Sequence, residues 1–186
     1  LRYQTSGAQE DKVVFDEALE KANAAQLEYR SQAYDTLITY EGNELCQLEA
    51  LILERVDRLL VDSGGNRARI EIVDGRITTF DVSQSTSTSI NEAVSFAAYL
   101  TELQKLSCYT TQISSLPDTL PGSLQLLSCS NTQISKLPDT LPDSLQGLYC
   151  HNTQISKLPD TLPDSLRQLY CGDTQISKLP DTLPDS

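Results

Sequence analysis

The side chains of this 186-residue chain that are equipped for chemistry are five cysteines, one histidine and 26 carboxylates. Four of the cysteines, Cys108, Cys129, Cys150 and Cys171, recur at an interval of 21 residues. Zinc requires ligands that converge on one point, about 2.3 Å from each sulfur. Cysteines at a fixed interval instead occupy the same place in successive structural units and form a line, which does not converge. Strand spacing of about 4.8 Å leaves a disulfide between neighbours geometrically open, although inward, parallel side chains disfavour it. The pattern points to buried, reduced thiols that act as small hydrophobes, and Cys46, in an apolar helical pattern, to the same. His151 is the only histidine, and neither a Gly-rich phosphate loop nor a paired carboxylate site stands out. The chain reads as non-enzymatic, with no metal and no cofactor.

The elements that carry these cysteines are four copies of one 21-residue unit spanning 103–186. Leu103, Leu124, Leu145 and Leu166 open the copies, with a second Leu at +3, the Cys at +5, a Thr at +8 and an Ile at +10. Two Leu-Pro pairs close each copy, and all eight prolines lie in these pairs. A period this short signals a solenoid. In LxxLxC the inward residues alternate, which is strand periodicity, so each copy supplies one strand to a parallel sheet, centred on Leu106-Cys108, Leu127-Cys129, Leu148-Cys150 and Leu169-Cys171. In SKLPDTLPDS two prolines four residues apart exclude helix and push the preceding Leu into the extended region. That half reads as a polyproline-like return arm. Six inward apolar side chains per copy do not offset the entropy of ordering 21 residues, so stacking is obligatory. The expected architecture is a right-handed, shallowly curved α/β solenoid.

These copies resemble leucine-rich repeats, whose pattern is LxxLxLxx(N/C)xL, and their LP..LP ending is similar to the short bacterial class found in secreted effectors that act inside host cells. Two columns depart from that pattern. Cysteine takes the third Leu position, and Thr111, Thr132, Thr153 and Thr174 take the Asn position. A Thr hydroxyl both donates and accepts, so a thinner version of the Asn ladder is expected. The resemblance implies a parallel sheet on the concave face, extended convex arms and an N-terminal helical cap. Similar effectors often carry a downstream cysteine-dependent ubiquitin ligase domain with a Cys-x-Asp nucleophile motif. Cys171-Gly172-Asp173 has those letters, yet Cys171 is the fourth rung of the ladder and belongs to the core, where a thiol is not activated.

Lys+Arg of 14 against Asp+Glu of 26 gives a net charge of −12. Residues 1–102 carry 18 acidic and 9 basic side chains, and residues 103–186 carry 8 and 5. Neither part is a basic patch, which argues against nucleic acid and anionic membrane as partners. No apolar run reaches the length of a membrane span. The chain begins at Leu1 and stops at Ser186, where another strand-opening Leu is due, and reads as a fragment. An uncovered last copy is expected to fray or to associate end to end with another molecule.

The first 102 residues divide into a helical part, 1–68, and a hairpin plus degenerate first repeat, 69–102. Phe15, Leu19, Ala22, Tyr29, Ala33 and Leu37 fall near one face of a helix expected over Asp11–Tyr40. This is either one arm of a helical hairpin or the tail of a coiled coil. Leu45, Leu48, Ile52, Val56 and Leu59 mark a second helix over Glu44–Val61, with Asn43 as its cap. Asp74-Gly75 is a hairpin turn. Ile77, Phe80 and Val82 take repeat core positions, with Gly75-Arg76-Ile77-Thr78 similar to the first strand of many leucine-rich repeat proteins. Asn91–Glu102 reads as a short helix.

The last three copies are identical from Thr132, Thr153 and Thr174 through TQISKLPDTLPDS. They differ only within QLLSCSN, QGLYCHN and RQLYCGD, at five columns expected to face solvent on the sheet side or in its adjoining loop. One uniform face and one varied face is how a binding surface diversifies on a constant scaffold. The columns beside the cysteines nominate Tyr109, Ser128, Ser130, Tyr149, His151, Tyr170, Gly172 and Asp173 as partner-binding residues. The function expected is recognition of a protein partner on the concave face. The alternatives are the substrate-recruiting arm of an effector-type ubiquitin ligase and a rigid adhesion spacer. Reduced cysteines favour a reducing compartment, and a secreted effector fits as well.

Overall fold

The structure is a computed structural model that describes residues 37–40, 43–62 and 64–184. Strands β1 (Leu37–Tyr40) and β2 (Asn43–Cys46) form an antiparallel pair, followed by helix α1 (Gln47–Asp62). Strands β3 (Arg69–Val73) and β4 (Arg76–Asp81) form a hairpin. Helix α2 (Ile90–Ser95) and a 3-10 turn, Phe96–Tyr99, lead into β5 (Lys105–Ser107), β6 (Leu126–Ser128), β7 (Gly147–Tyr149) and β8 (Gln168–Tyr170). The sheet order is β3-β4-β5-β6-β7-β8, with β3 antiparallel to β4 and every later pair parallel. The parallel register sets Phe80, Leu106, Leu127, Leu148 and Leu169 side by side. The chain is a solenoid, one coil per 21-residue copy.

Each coil is closed by the same contacts. One carbonyl per coil accepts two amides from the next: Gln104 from Gln125 and Leu126, Gln125 from Gln146 and Gly147, Gln146 from Arg167 and Gln168. The cysteines lie one residue past the strand ends, but the ladder continues there, with Cys108 N–H on Ser128 C=O and Cys129 N–H on Tyr149 C=O, both at 2.8 Å. Beyond the Cys the chain turns through a left-handed residue, Thr110, Asn131, Asn152 or Asp173, with φ between 51° and 55°. No helix occurs across 157–165, where the chain makes only bends and turns. A hydrogen-bonded turn then runs from the second proline to the next opening Leu, as in Leu145 N–H to Pro142 C=O at 3.0 Å.

The Thr column does bond backbone groups in the turn after each strand, and it does so within one coil. Each Thr hydroxyl donates to the carbonyl of its own coil's Cys three residues back, at 2.7–2.8 Å, and so braces the turn inside one coil. A single hydroxyl proton does not serve two coils. Cross-coil bracing falls instead to a serine column. Ser123, Ser144 and Ser165 each donate from an exposed or half-exposed site toward two carbonyls of the preceding coil, at 2.6–2.8 Å.

The amino-terminal part departs from expectation. Residues 11–36 of the expected first helix lie outside the described residues, and its last four, Leu37–Tyr40, form strand β1. The second helix starts at Gln47 rather than Glu44, because Asn43–Cys46 pairs with β1; Asn43 is therefore not its cap. The helix ends as the Gly pair suggests. Gly64, at φ 84°, donates to Val61 C=O at 3.0 Å and Gly65 to Leu60 C=O at 2.7 Å, a Schellman closure. Asp74 and Gly75 both take positive φ in the β3–β4 turn, as a type I′ hairpin requires. Helix α2 ends at Ser95, with the rest of the expected helix reduced to the 3-10 turn.

Helix α1 is tied to the first parallel strand through a buried acid. Glu49 accepts from the Ile77 amide at 2.6 Å and from Arg76 Nε at 3.0 Å, and Cys46 N–H donates to Gly75 C=O at 2.8 Å. Burial pushes the Glu49 carboxyl up, against the pull of the Ile77 amide and the Arg76 guanidinium. Val56, Leu60, Ile77, Phe80 and Val82 then join the coil leucines and cysteines in one continuous core.

Candidate recognition surface on the sheet face

A β-strand presents alternate residues to opposite faces. With Leu106, Leu127, Leu148 and Leu169 turned inward, two outward columns remain on the four regular strands. The first is Lys105, Leu126, Gly147 and Gln168, and the second is Ser107, Ser128, Tyr149 and Tyr170. A third column beyond the cysteines holds Tyr109, Ser130, His151 and Gly172.

The face changes character along the array. At its β3–β4 end charges are paired: Arg69 donates from Nε and Nη2 to one oxygen of Asp81, at 3.1 and 2.7 Å. Thr79 donates to Glu71 at 2.8 Å. Ser83 and Ser107 hydroxyls share a 3.0 Å bond, and Gln84 donates to the Tyr109 hydroxyl at 3.3 Å. The middle coil is small and polar, with Leu126 its one large side chain. The β7–β8 end is aromatic. Tyr149 and Tyr170 stack with centroids 4.9 Å apart and planes 8° from parallel, which is the strand spacing itself. The Tyr149 hydroxyl donates to Gln168 Oε1 on the next strand. Tyr170 is 54% exposed.

The nominated residues fall on this face but not as equals. Tyr149, Tyr170 and His151 sit together on β7, β8 and the turn after β7. Tyr109 is three coils away from Tyr170 and belongs to the polar end. Ser130 is buried, its hydroxyl 2.8 Å from His151 Nδ1. Ser128 is half-buried and Gly172 open, with nothing within 4 Å of where a Cβ would stand. Asp173 is held in the left-handed turn column, where the Asn, Asn and Asp of the last three coils suit that backbone. Its variation therefore says little about a ligand. Asn152 also donates to Asn131 across that column at 2.8 Å.

The Leu126, Gly147, Gln168 column is among the varied columns of the sequence reading but contributed none of the nominated residues. Its signal was present in the differing segments, but a Gly and a Gln flanked by Leu did not announce that both touch Tyr149.

Thiol chemistry is suppressed here. Cys46, Cys108, Cys129 and Cys150 are buried and Cys171 half-buried, all as free thiols. Burial pushes the Cys108 and Cys150 thiols up to about 12, and Cys129 well above its ordinary value, so none is a nucleophile near neutral pH. Among the described residues no group of three or more His, Cys, Asp or Glu is placed to hold a metal ion. No helix among them is long and apolar enough to cross a membrane.

The opposite face is uniform and charge-paired. Lys136–Asp139, Lys157–Asp160 and Lys178–Asp181 each close within one coil at 2.6–3.0 Å, fully in solvent. The ammonium beside it holds the Asp160 carboxyl below the usual range.

No protein-family profile matches the chain, and no curated protein matches it. Among solved structures the chain is similar to YopM from Yersinia enterocolitica WA-314, at 32% identity and a TM-score of 0.42. The match covers 46% of this chain and 18% of that one, so the chain spans less than a fifth of that protein's length.

Proposed function

We propose that this chain is a protein-recognition module of leucine-rich repeat type, belonging to the short-repeat class, that engages its partner on the concave sheet face. Catalysis is no part of its role. The observation that carries the reading is the stacked Tyr149–Tyr170 pair, with Tyr149 half-buried and Tyr170 exposed, set where the otherwise uniform copies differ. Tyr combines large apolar area with a hydroxyl at low entropic cost and is enriched where interfaces concentrate their energy. Helix α1, locked to β4 through Glu49, acts as the amino-terminal cap of the array, and the proline-rich arms form its convex side.

Two surfaces of one molecule test this. A partner captured by the chain is titrated against four variants. Tyr149→Ala and Tyr170→Ala each weaken binding by about 2 kcal/mol or more, the hot-spot range. Lys136→Ala and Lys157→Ala, on the paired face, change it by less than about 0.5 kcal/mol. The reverse ranking, with all four variants equally stable, places the site on the arms.

A further inference from the structure

Gly147 lies beneath the Tyr149 ring of the stacked pair. Gly147 faces outward on β7, in the column that holds Lys105, Leu126 and Gln168 in the other coils, yet it is buried. What covers it is the Tyr149 ring, which lies back along its own strand. A Cβ built on Gly147 would stand 3.1 Å from Tyr149 Cε2 and 3.8 Å from two carbons of Leu126. The ring is pinned in that pose from two other sides, by its hydroxyl on Gln168 and by the Tyr170 face 4.9 Å away. A methyl there requires the ring to give by a few tenths of an ångström, against both of those contacts.

We infer that Gly147 is a positioning residue that sets the specificity of this face: its missing side chain lets Tyr149 lie flat and stack on Tyr170, so the two rings form one preorganised platform. This rests on the concave-face reading and deepens it. A partner meets an aromatic step already ordered, with its rotamer entropy lost at folding rather than at binding. The platform exists only across β7 and β8, where the column of the pair holds tyrosine; on β5 and β6 it holds Ser107 and Ser128. The backbone itself does not demand glycine, since the left-handed glycines are Gly64 and Gly75. Alanine at 147 is therefore compatible with the strand, and its conflict is with the ring alone.

The test uses the whole 186-residue chain carrying isotope-labelled tyrosine. Stacked rings shift each other's proton resonances upfield. In Gly147→Ala the shifts of Tyr149 and Tyr170 collapse while the melting temperature stays at or above that of the parent. In Tyr149→Phe, which loses only the hydroxyl, the Tyr170 shift persists. Retention of both shifts in Gly147→Ala overturns the inference. Should that variant fail to fold, Gly147→Ala/Tyr149→Ser decides. Refolding assigns the conflict to the ring, and continued misfolding shows that the strand needs glycine and overturns the inference. Affinity is read separately. Loss of stacking with a tenfold or greater loss of partner affinity supports both readings. Loss of stacking with unchanged affinity leaves Gly147 as the positioner of the pair, but removes the pair from the binding site and overturns its role in specificity.

Discussion

Cys108, Cys129 and Cys150 show at the residue scale how position decides chemistry. Each is a potential nucleophile that the fold converts into a methyl-sized filler. A thiol whose folded-state pKa lies near 12, above an unfolded value near 9, favours the folded state while it stays neutral. That contribution is complete below about pH 9 and is lost as pH rises toward 12. Wild type and Cys150→Ala, compared by denaturant unfolding, should therefore converge. The stability gap between them narrows by about 1–2 kcal/mol from pH 8 to pH 10.5. At pH 8 Cys150→Ser costs roughly 1–3 kcal/mol, since its hydroxyl enters an apolar row. The left-handed column offers the opposite sign. Thr110 is β-branched at φ 55°, where its counterparts are Asn or Asp. Short polar side chains tolerate that region and β-branched ones do not. Thr110→Asn should raise stability by about 0.5–1 kcal/mol, read from the shift of the denaturation midpoint.

At the scale of elements, the regular and the irregular halves were legible to very different degrees. In 103–186 the period reports strand, turn and arm four times over, so a single error of reading would have to be repeated four times. It placed the strand centres one residue late, because the Cys lies just past the last ladder pair. It missed the serine column altogether. The clue was an unchanging polar residue at a half-buried position, Ser123, Ser144 and Ser165, whose reason is cross-coil bonding. Before residue 69 no repeat corrects the reading. Leu37–Tyr40 continues an apolar helical stripe in sequence but becomes strand by pairing with Asn43–Cys46, a tertiary partner that periodicity does not reveal. The Glu49 lock was equally hidden, since an acid in the first turn of a helix looks like a favourable surface charge. Its burial predicts a large effect. Glu49→Ala strips the Ile77 amide of its acceptor and Arg76 of its ion pair. It should cost about 2–4 kcal/mol, more than any Lys136 or Lys157 substitution. The loss should appear as earlier thermal unfolding.

For the whole molecule, a solenoid distributes its stability by neighbourhood. Each coil has contacts only with the coils beside it, so its protection depends on how many neighbours it has. The same leucines show this directly in the arms. Leu137 and Leu158 are 3% and 2% exposed, whereas Leu179, in the same column of the last coil, is 48% exposed, and Leu183 in the next column is 54% exposed. Leu169, Cys171 and Ile176 are likewise only partly covered. Two coils with nearly one sequence therefore bury their core residues to very different degrees, and local opening should follow burial rather than sequence. Native-state hydrogen exchange reads that difference amide by amide. The Leu126 and Gly147 amides, which bond to the preceding coil on strands flanked on both sides, should be slower by about tenfold or more than the equivalent Gln168 amide, which corresponds to about 1.4 kcal/mol of opening free energy. The gradient should be the same at 10 μM and 200 μM protein if the open end stays free. If protection of the last coil rises with concentration, a second molecule covers Leu179 and Leu183, and end-to-end association follows. Equal protection of all four coils in a demonstrated monomer would show that the array unfolds as one cooperative unit, with the exposed end contributing as much as the middle.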